Sequence, residues 1–200
     1  MLYGSQHRKV MGGAAATPFT ITFLTGTLPA TIVLGSAYTG PATPALAEYD
    51  AGDGNWTQYT SNTITRAGNY IAFRGDWRTS AGGYYGLLNG TLNSAAYTCK
   101  FTGQLEETPS NFASCYREIF RDCTAVVLIE DNPLPILTGA PAASMFLQAC
   151  IGMSSVTSLP AGFMNTSGLT GTPATSMFQD ACYGMSSVTS LPAGFMNTSG

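Results

Sequence analysis

The side chains that could carry nucleophilic or metal chemistry are few. The chain has one histidine, His7, and five cysteines, Cys99, Cys115, Cys123, Cys150 and Cys182. His7 lies in residues 1–16, read as a flexible arm, because chain ends are usually poorly ordered. With no histidine inside the fold, neither a Ser-His-Asp nor a Cys-His nucleophile can be assembled there. The cysteines form no C-x-x-C pair, so no zinc site is expected, and free thiols buried as small hydrophobes are the expected state.

Carboxylates are the remaining route to catalysis. Glu106 with Glu107 and Glu130 with Asp131 are adjacent in sequence. Hydrolysis of a glycosidic bond needs two carboxyl groups roughly 5 to 9.5 Å apart across the bond, which neighbours rarely provide. They are read as solvated turn or cap residues. Asp50, Asp53 and Asp76, with Y-D-A-G-D-G-N over 49–55, could contribute oxygens to Ca²⁺. The fragment lacks the later acidic ligand of an EF-hand, and an ordinary turn is the reading taken. No cofactor and no metal are expected, and the chain is expected not to be an enzyme.

A binding chemistry is also open. Trp56, Tyr59, Trp77, Tyr84 and Tyr85 could form a row of rings that stack on sugars, which gives the alternative function, a carbohydrate-binding module. Strand alternation does not put Trp56 and Tyr59 on one face, so packing of these rings in a core or at an edge competes with that use. Asn55, Asn89, Asn165 and Asn197 stand in N-x-S/T sequons that could accept glycans.

What must position these groups is set by a repeat. Residues 152–168 and 184–200 share the seventeen letters GMSSVTSLPAGFMNTSG. Upstream, GAPAASMFLQACI from Gly139 aligns with GTPATSMFQDACY from Gly171, a period of 32 residues. A worn earlier copy is suggested at IFRDCTAVVLIEDNPLP, with Cys123 matched to Cys150. Within a unit, Thr172 and Pro173 suit the start of a helix, Met177, Phe178, Ala181, Cys182 and Met185 recur at three-to-four spacing, and Gly184 suits its end. The expected repeat core is Met145, Phe146, Cys150, Met153, Val156, Leu159 and Phe163 in one copy, and Met177, Phe178, Cys182, Met185, Val188, Leu191 and Phe195 in the next. Five or six such side chains, at roughly 1.5 to 3 kcal/mol each, do not offset backbone entropy of roughly 1 to 2 kcal/mol per residue, so units must stack.

The segment SSVTSLPAGFMNTSGL, Ser154 to Leu169, with SMFLQAC before it, resembles a leucine-rich repeat of the L-x-x-L-P-x-x-x-F type. It is similar to the bacterial surface repeats related to BspA, over about residues 115–200 and most clearly 139–200. The resemblance implies a leucine-rich-repeat solenoid and an exported, cell-surface, non-enzymatic adhesin or array component. Val156 and Val188 stand where that pattern has leucine.

The amino-terminal half reads differently. FTITFLT, ATIVLG, NWTQYT, NTITRAG and NYIAFRG are short, β-branched and aromatic, and are punctuated by Gly and Pro. The fold expected is therefore mixed α+β: an antiparallel β-sandwich-like domain over 17–78, a junction and cap over 79–138, and a solenoid over 139–200. The cap would hold the charges Glu106, Glu107, Arg117, Glu118, Arg121 and Asp122.

Composition narrows the partners. Charged residues make up 10% of the 200 residues, the net charge is −3, and no basic stripe is present, so nucleic acid is an unfavoured partner. No apolar run approaches the roughly 20 residues of a membrane span, and residues 1–16 do not form a secretory leader. Asp180 is the single charged residue in 132–200, a flank suited to dense packing. Ending at Gly200 without a polar cap, the last unit is expected to be covered by more repeats or by a neighbour. The function expected is a non-enzymatic structural or adhesion protein on the outside of an assembly, such as a virion decoration or fibre protein or a bacterial cell-surface repeat protein. Its partners would be other subunits and host glycans or surface proteins.

Overall fold

Alternation in FTITFLTG places Phe19, Ile21 and Phe23 on one face of a strand, and all three are buried. In the computed structural model, which describes residues 17–192 and Phe195, this segment is β1 (Phe19–Gly26). It is followed by β2 (Thr31–Val33), β3 (Ala47–Asp50), β4 (Trp56–Gln58), β5 (Thr63–Thr65), β6 (Tyr70–Gly75), β7 (Tyr97–Thr102) and β8 (Val126–Ile129). Six of these make one sheet in the order β4-β3-β6-β1-β7-β8, and β2 pairs with β5 separately. Every pair is antiparallel except β7 with β8. The register slips between Phe23 and Thr25 as β1 meets β7, and Leu24 is left exposed at that irregularity.

The sheet is held to the rest of the chain by aromatic rings. Phe19 meets Phe73 at 5.8 Å, Phe101 at 5.2 Å and Phe120 at 6.0 Å between centroids. Phe120 is not in the sheet, so its ring fastens the following segments to the sheet face. Such burial is worth roughly 1.5 to 3 kcal/mol per ring.

Those segments correct the expected fold. Among the described residues there is no α-helix and no leucine-rich-repeat solenoid, and the expected mixed α+β class gives way to a chain that is nearly all sheet, turn and loop. The antiparallel sandwich is likewise replaced by one mixed six-stranded sheet, two of whose strands, β7 and β8, come from beyond residue 79. Where helices were expected the backbone forms ribbons of overlapping turns. Along 174–185, the N–H groups of Met177, Gln179, Ala181, Tyr183 and Met185 each donate to the carbonyl three residues back. Ser176, Asp180 and Gly184 lie in the left-handed region, at φ 54°, 54° and 78°. A left-handed residue at every fourth position is incompatible with an α-helix.

The same ribbon recurs over 84–92, 112–123 and 144–153. Left-handed residues fall at Gly82, Gly86 and Gly90, then at Ser114, Glu118 and Asp122, then at Ser144, Gln148 and Gly152. The ribbons lie side by side and parallel. Tyr84, Gly86, Leu88 and Gly90 donate to Cys115, Arg117, Ile119 and Arg121; Tyr116, Glu118, Phe120 and Asp122 donate to Met145, Leu147, Ala149 and Ile151; and Phe146, Gln148, Cys150 and Gly152 donate to Met177, Gln179, Ala181 and Tyr183. Glycine is required where the first two approach most closely, since a Cβ on Gly83 would sit 2.6 Å from the Cα of Cys115. This pairing matches Phe120 with Cys150, so the suggested match of Cys123 to Cys150 is displaced by three residues.

Candidate functional site: the last ribbon and its open edge

Tyr84, Tyr116, Phe146 and Phe178, one from each ribbon, form a column of rings with successive centroid distances of 6.1, 5.4 and 5.2 Å. The column begins against buried chain and ends at Phe178, which is half-buried. Beyond it the last ribbon has no neighbour among the described residues. Its odd-numbered carbonyls, from Thr175 to Tyr183, accept from the ribbon before, and its even-numbered carbonyls, Ser176, Phe178, Asp180 and Cys182, accept from its own turns. The N–H groups of Ser176, Phe178, Asp180, Cys182 and Gly184 have no hydrogen-bond partner among the described residues. In the preceding ribbon the matching groups, from Ser144 to Gly152, are all bonded.

Side chains around this edge differ in burial from their counterparts one unit earlier. Met145, Phe146, Cys150, Met153, Val156, Leu159, Phe163 and Met177 are buried. Phe178, Cys182, Met185, Val188 and Phe195 are half-buried and pack against the core from one side. Leu191 is 63% exposed where Leu159, in the identical sequence, is 9% exposed, and Tyr183 is 71% exposed. Phe163 and Phe195 stack at 6.4 Å, which aligns the downstream halves of the two units as well.

The proposed sugar-stacking rings do not form a row. Trp77 and Tyr84 are fully buried: the Trp77 indole N–H donates to the Arg74 carbonyl at 2.9 Å, and the Tyr84 hydroxyl donates to the Glu107 carbonyl at 2.6 Å. Burial pushes the Tyr84 phenol far above its ordinary range. Tyr59 packs edge-on to Trp77 at 5.6 Å and donates its hydroxyl to Asn62 Oδ1. Trp56 is half-buried under the Arg74 guanidinium, 4.1 Å from its ring, and Tyr85 lies under Arg117 at 5.2 Å. Each ring is thus committed to a packing or cation partner.

The carboxylates are committed too. Asp50 Oδ1 accepts from the N–H groups of Gly52, Asp53 and Gly54, and its Oδ2 accepts from the Tyr70 hydroxyl at 2.7 Å. Asp53 accepts from the backbone and side-chain N–H of Asn55, which holds its carboxyl below the usual range. Asp76 faces Arg78, not this loop. No group of three or more His, Cys, Asp or Glu side chains that could hold a metal occurs among the described residues. Within the adjacent pairs, Glu106 accepts from Gly75 N–H while Glu107 faces Arg78 at 3.9 Å, and Glu130 pairs with Lys100 while Asp131 accepts from Gly103 N–H.

Of the cap charges, Glu118 is buried between Arg117 at 3.1 Å and Arg121 at 3.6 Å, and the Asn89 amide donates to it at 2.8 Å. The Asn89 sequon is therefore engaged. Asn55 is exposed and Asn165 half-buried, while Asn197 and His7 lie outside the described residues, as does the arm expected over 1–16. Burial pushes the thiols of Cys99 and Cys115 up to about 12 and that of Cys182 up to about 11. Burial pushes the thiols of Cys123 and Cys150 well above their ordinary range too.

The turn ribbons and their row of backbone donors were missed in the sequence, although Gly82, Gly86 and Gly90 at four-residue spacing carried a signal for turns. No helix of the described residues is long and apolar enough to cross a membrane. Comparison with protein-family models, with curated proteins and with solved structures found no match to this chain.

Proposed function

We propose that this chain is a non-enzymatic structural or adhesion subunit displayed on the outside of an assembly, as a virion decoration or fibre protein or a bacterial cell-surface protein. The sheet half anchors it, and the ribbon half meets other protein subunits and the glycans or surface proteins of a host. The observation that carries this reading is the contrast between Leu159 and Leu191. Identical sequence on matching turns is covered in one copy and bare in the next, 9% against 63% exposed. Phe178, Cys182, Met185 and Val188 are half-buried where Phe146, Cys150, Met153 and Val156 are buried. An apolar face of this kind is one that further units of the chain or a neighbouring subunit cover.

Low charge supports the same use. Asp180 is the single charged residue after Asp131, so copies or subunits can pack against this flank with little electrostatic repulsion or charge desolvation.

The test is light scattering and native mass spectrometry on material from the natural source. The expected result is recovery in a large particle or envelope assembly, with residues 174–192 protected from deuterium exchange. A free monomer with residues 174–192 exchanging freely would refute the reading.

A further inference from the structure

We infer that Asn89 is a modification site gated by folding: its carboxamide is lost to attack by the Gly90 backbone nitrogen when the first ribbon opens, and the converted chain does not regain the native ribbon. Asn89 and Gly90 are the single Asn-Gly pair in the sequence. With no Cβ on the attacking residue, this is the pair at which an unfolded chain closes a succinimide ring most readily. The ribbon itself imposes the pair. Gly90 is one of its left-handed positions, at φ 69°, and a Cβ there would meet nothing within 4 Å, so conformation, not space, calls for glycine.

The reaction needs water alone. The Gly90 nitrogen gives its proton to a solvent base and bonds to Asn89 Cγ, and the Cγ–Nδ2 bond breaks to release ammonia. Water then adds to one of the two ring carbonyls. One opening leaves aspartate at position 89, and the other leaves isoaspartate, whose main chain runs through the former side chain.

In the folded chain both reacting groups are held. Gly90 N–H donates to the Arg121 carbonyl at 2.8 Å, and Asn89 N–H donates to the Gly86 carbonyl at 3.1 Å. The Asn89 amide donates to Glu118 Oε2 at 2.8 Å, and Glu118 is 6% exposed and paired with Arg117 and Arg121. The next residue is fastened as well, since the Thr91 hydroxyl donates to the Val33 carbonyl at 2.9 Å. Ring closure requires the Gly90–Arg121 bond to break and the carboxamide to leave Glu118, so it waits for local opening.

Conversion removes what the fold uses here. Aspartate at position 89 sets a carboxylate where the amide donor stood, against the buried Glu118 carboxylate, and two like charges there cannot both stay ionised without loss of stability. Isoaspartate lengthens the main chain before Gly90 and moves its N–H out of step with the Arg121 carbonyl. The fold therefore protects the amide, and either product keeps the ribbon open.

The test incubates the full chain at mildly alkaline pH, native and in guanidinium chloride, and follows each asparagine by peptide mapping with mass spectrometry. In guanidinium chloride Asn89 should convert before any other asparagine. In the native chain its conversion should be slower by about 100-fold or more. Earlier loss at another asparagine overturns the assignment to Asn89, and slowing below that level overturns the gating. Converted chains, separated by their added negative charge, are then returned to native conditions and read by amide hydrogen exchange. Gly90 N–H exchanging as in an unfolded chain is the expected result. Recovery of the parent's protection at Gly90 overturns the one-way step.

Discussion

Phe146 and Phe178 stack with their centroids 5.2 Å apart and their planes 8° from parallel, one ring from each of two neighbouring ribbons. They occupy the same place in the repeat, yet Phe146 is also covered by Tyr116 at 5.4 Å while Phe178 has a ring on one side. The backbone bonds between Phe146 N–H and the Met177 carbonyl fix this spacing. Ring column and hydrogen-bond ladder therefore report the same register.

That asymmetry predicts unequal costs. Phe146→Ala, which empties a fully enclosed site, should lower stability by about 3 to 5 kcal/mol. Phe178→Ala should cost less than half as much, because its ring is half-buried. Urea denaturation of the two variants checks this, and equal losses would mean that the last ribbon is covered in solution by something the chain itself supplies.

The strands were largely legible. Alternation in FTITFLTG and NYIAFRG and the Gly and Pro punctuation located β1 and β6, and β2, β4 and β5 fall within the runs read as extended, while β3, Ala47–Asp50, lies outside all of them. The repeat was legible as well. Its local conformation was not, for a physical reason. Apolar pairs at Met145/Phe146, Ala149/Cys150 and Met153 fit a period of 3.6 or of 4 about equally over nine residues, since the two differ by less than one residue in two turns. Left-handed serine, glutamine or aspartate carries no sequence mark comparable to glycine. Packing of Trp77 and Tyr84 in a core was one of the two uses left open by the sequence, and the rings that bury them, Tyr59 and Phe73 for Trp77 and Tyr116 for Tyr84, come from separate segments.

Asp180 distinguishes ribbon from helix by substitution. It is exposed and left-handed at φ 54°. Asp180→Gly should be neutral or stabilising by up to about 1 kcal/mol, the relief of the left-handed penalty being partly offset by unfolded-state freedom. Asp180→Val should cost about 1 to 3 kcal/mol, and Asp180→Ala less. A helix would reverse the order, with alanine best and glycine among the worst. Denaturant midpoints of the three variants decide between them.

Asp76 gives a pH dependence. Hydrogen bonds from the Arg78 side chain, opposed by desolvation and helped by the Arg78 N–H, hold its carboxyl below its ordinary value of 3.8. The folded state therefore favours the ionised form. Its stabilisation is full above the unfolded value and is lost as pH falls through the lowered folded value. Asp76→Asn should be less stable than the parent at neutral pH, and the gap should close only below 3.8. A gap that persists unchanged to about pH 2 would assign the effect to packing instead of charge.

Thiol reactivity orders the five cysteines. Thiolate is the reacting species, and an ordinary thiol near 9.0 has a substantial ionised fraction at mildly alkaline pH. Cys182 is half-buried at the open edge and raised to about 11, whereas Cys99 and Cys115 are buried and raised to about 12. Cys123 and Cys150 are buried too, and well raised. With a disulfide reagent at about pH 8, Cys182 should react first and slowly, and the others should wait for unfolding, so that all five become reactive together in denaturant. Peptide mapping of the labelled chain over time checks the order. Labelling of Cys99 or Cys150 as fast as Cys182 would mean that the sheet and ribbons open locally more readily than their burial implies.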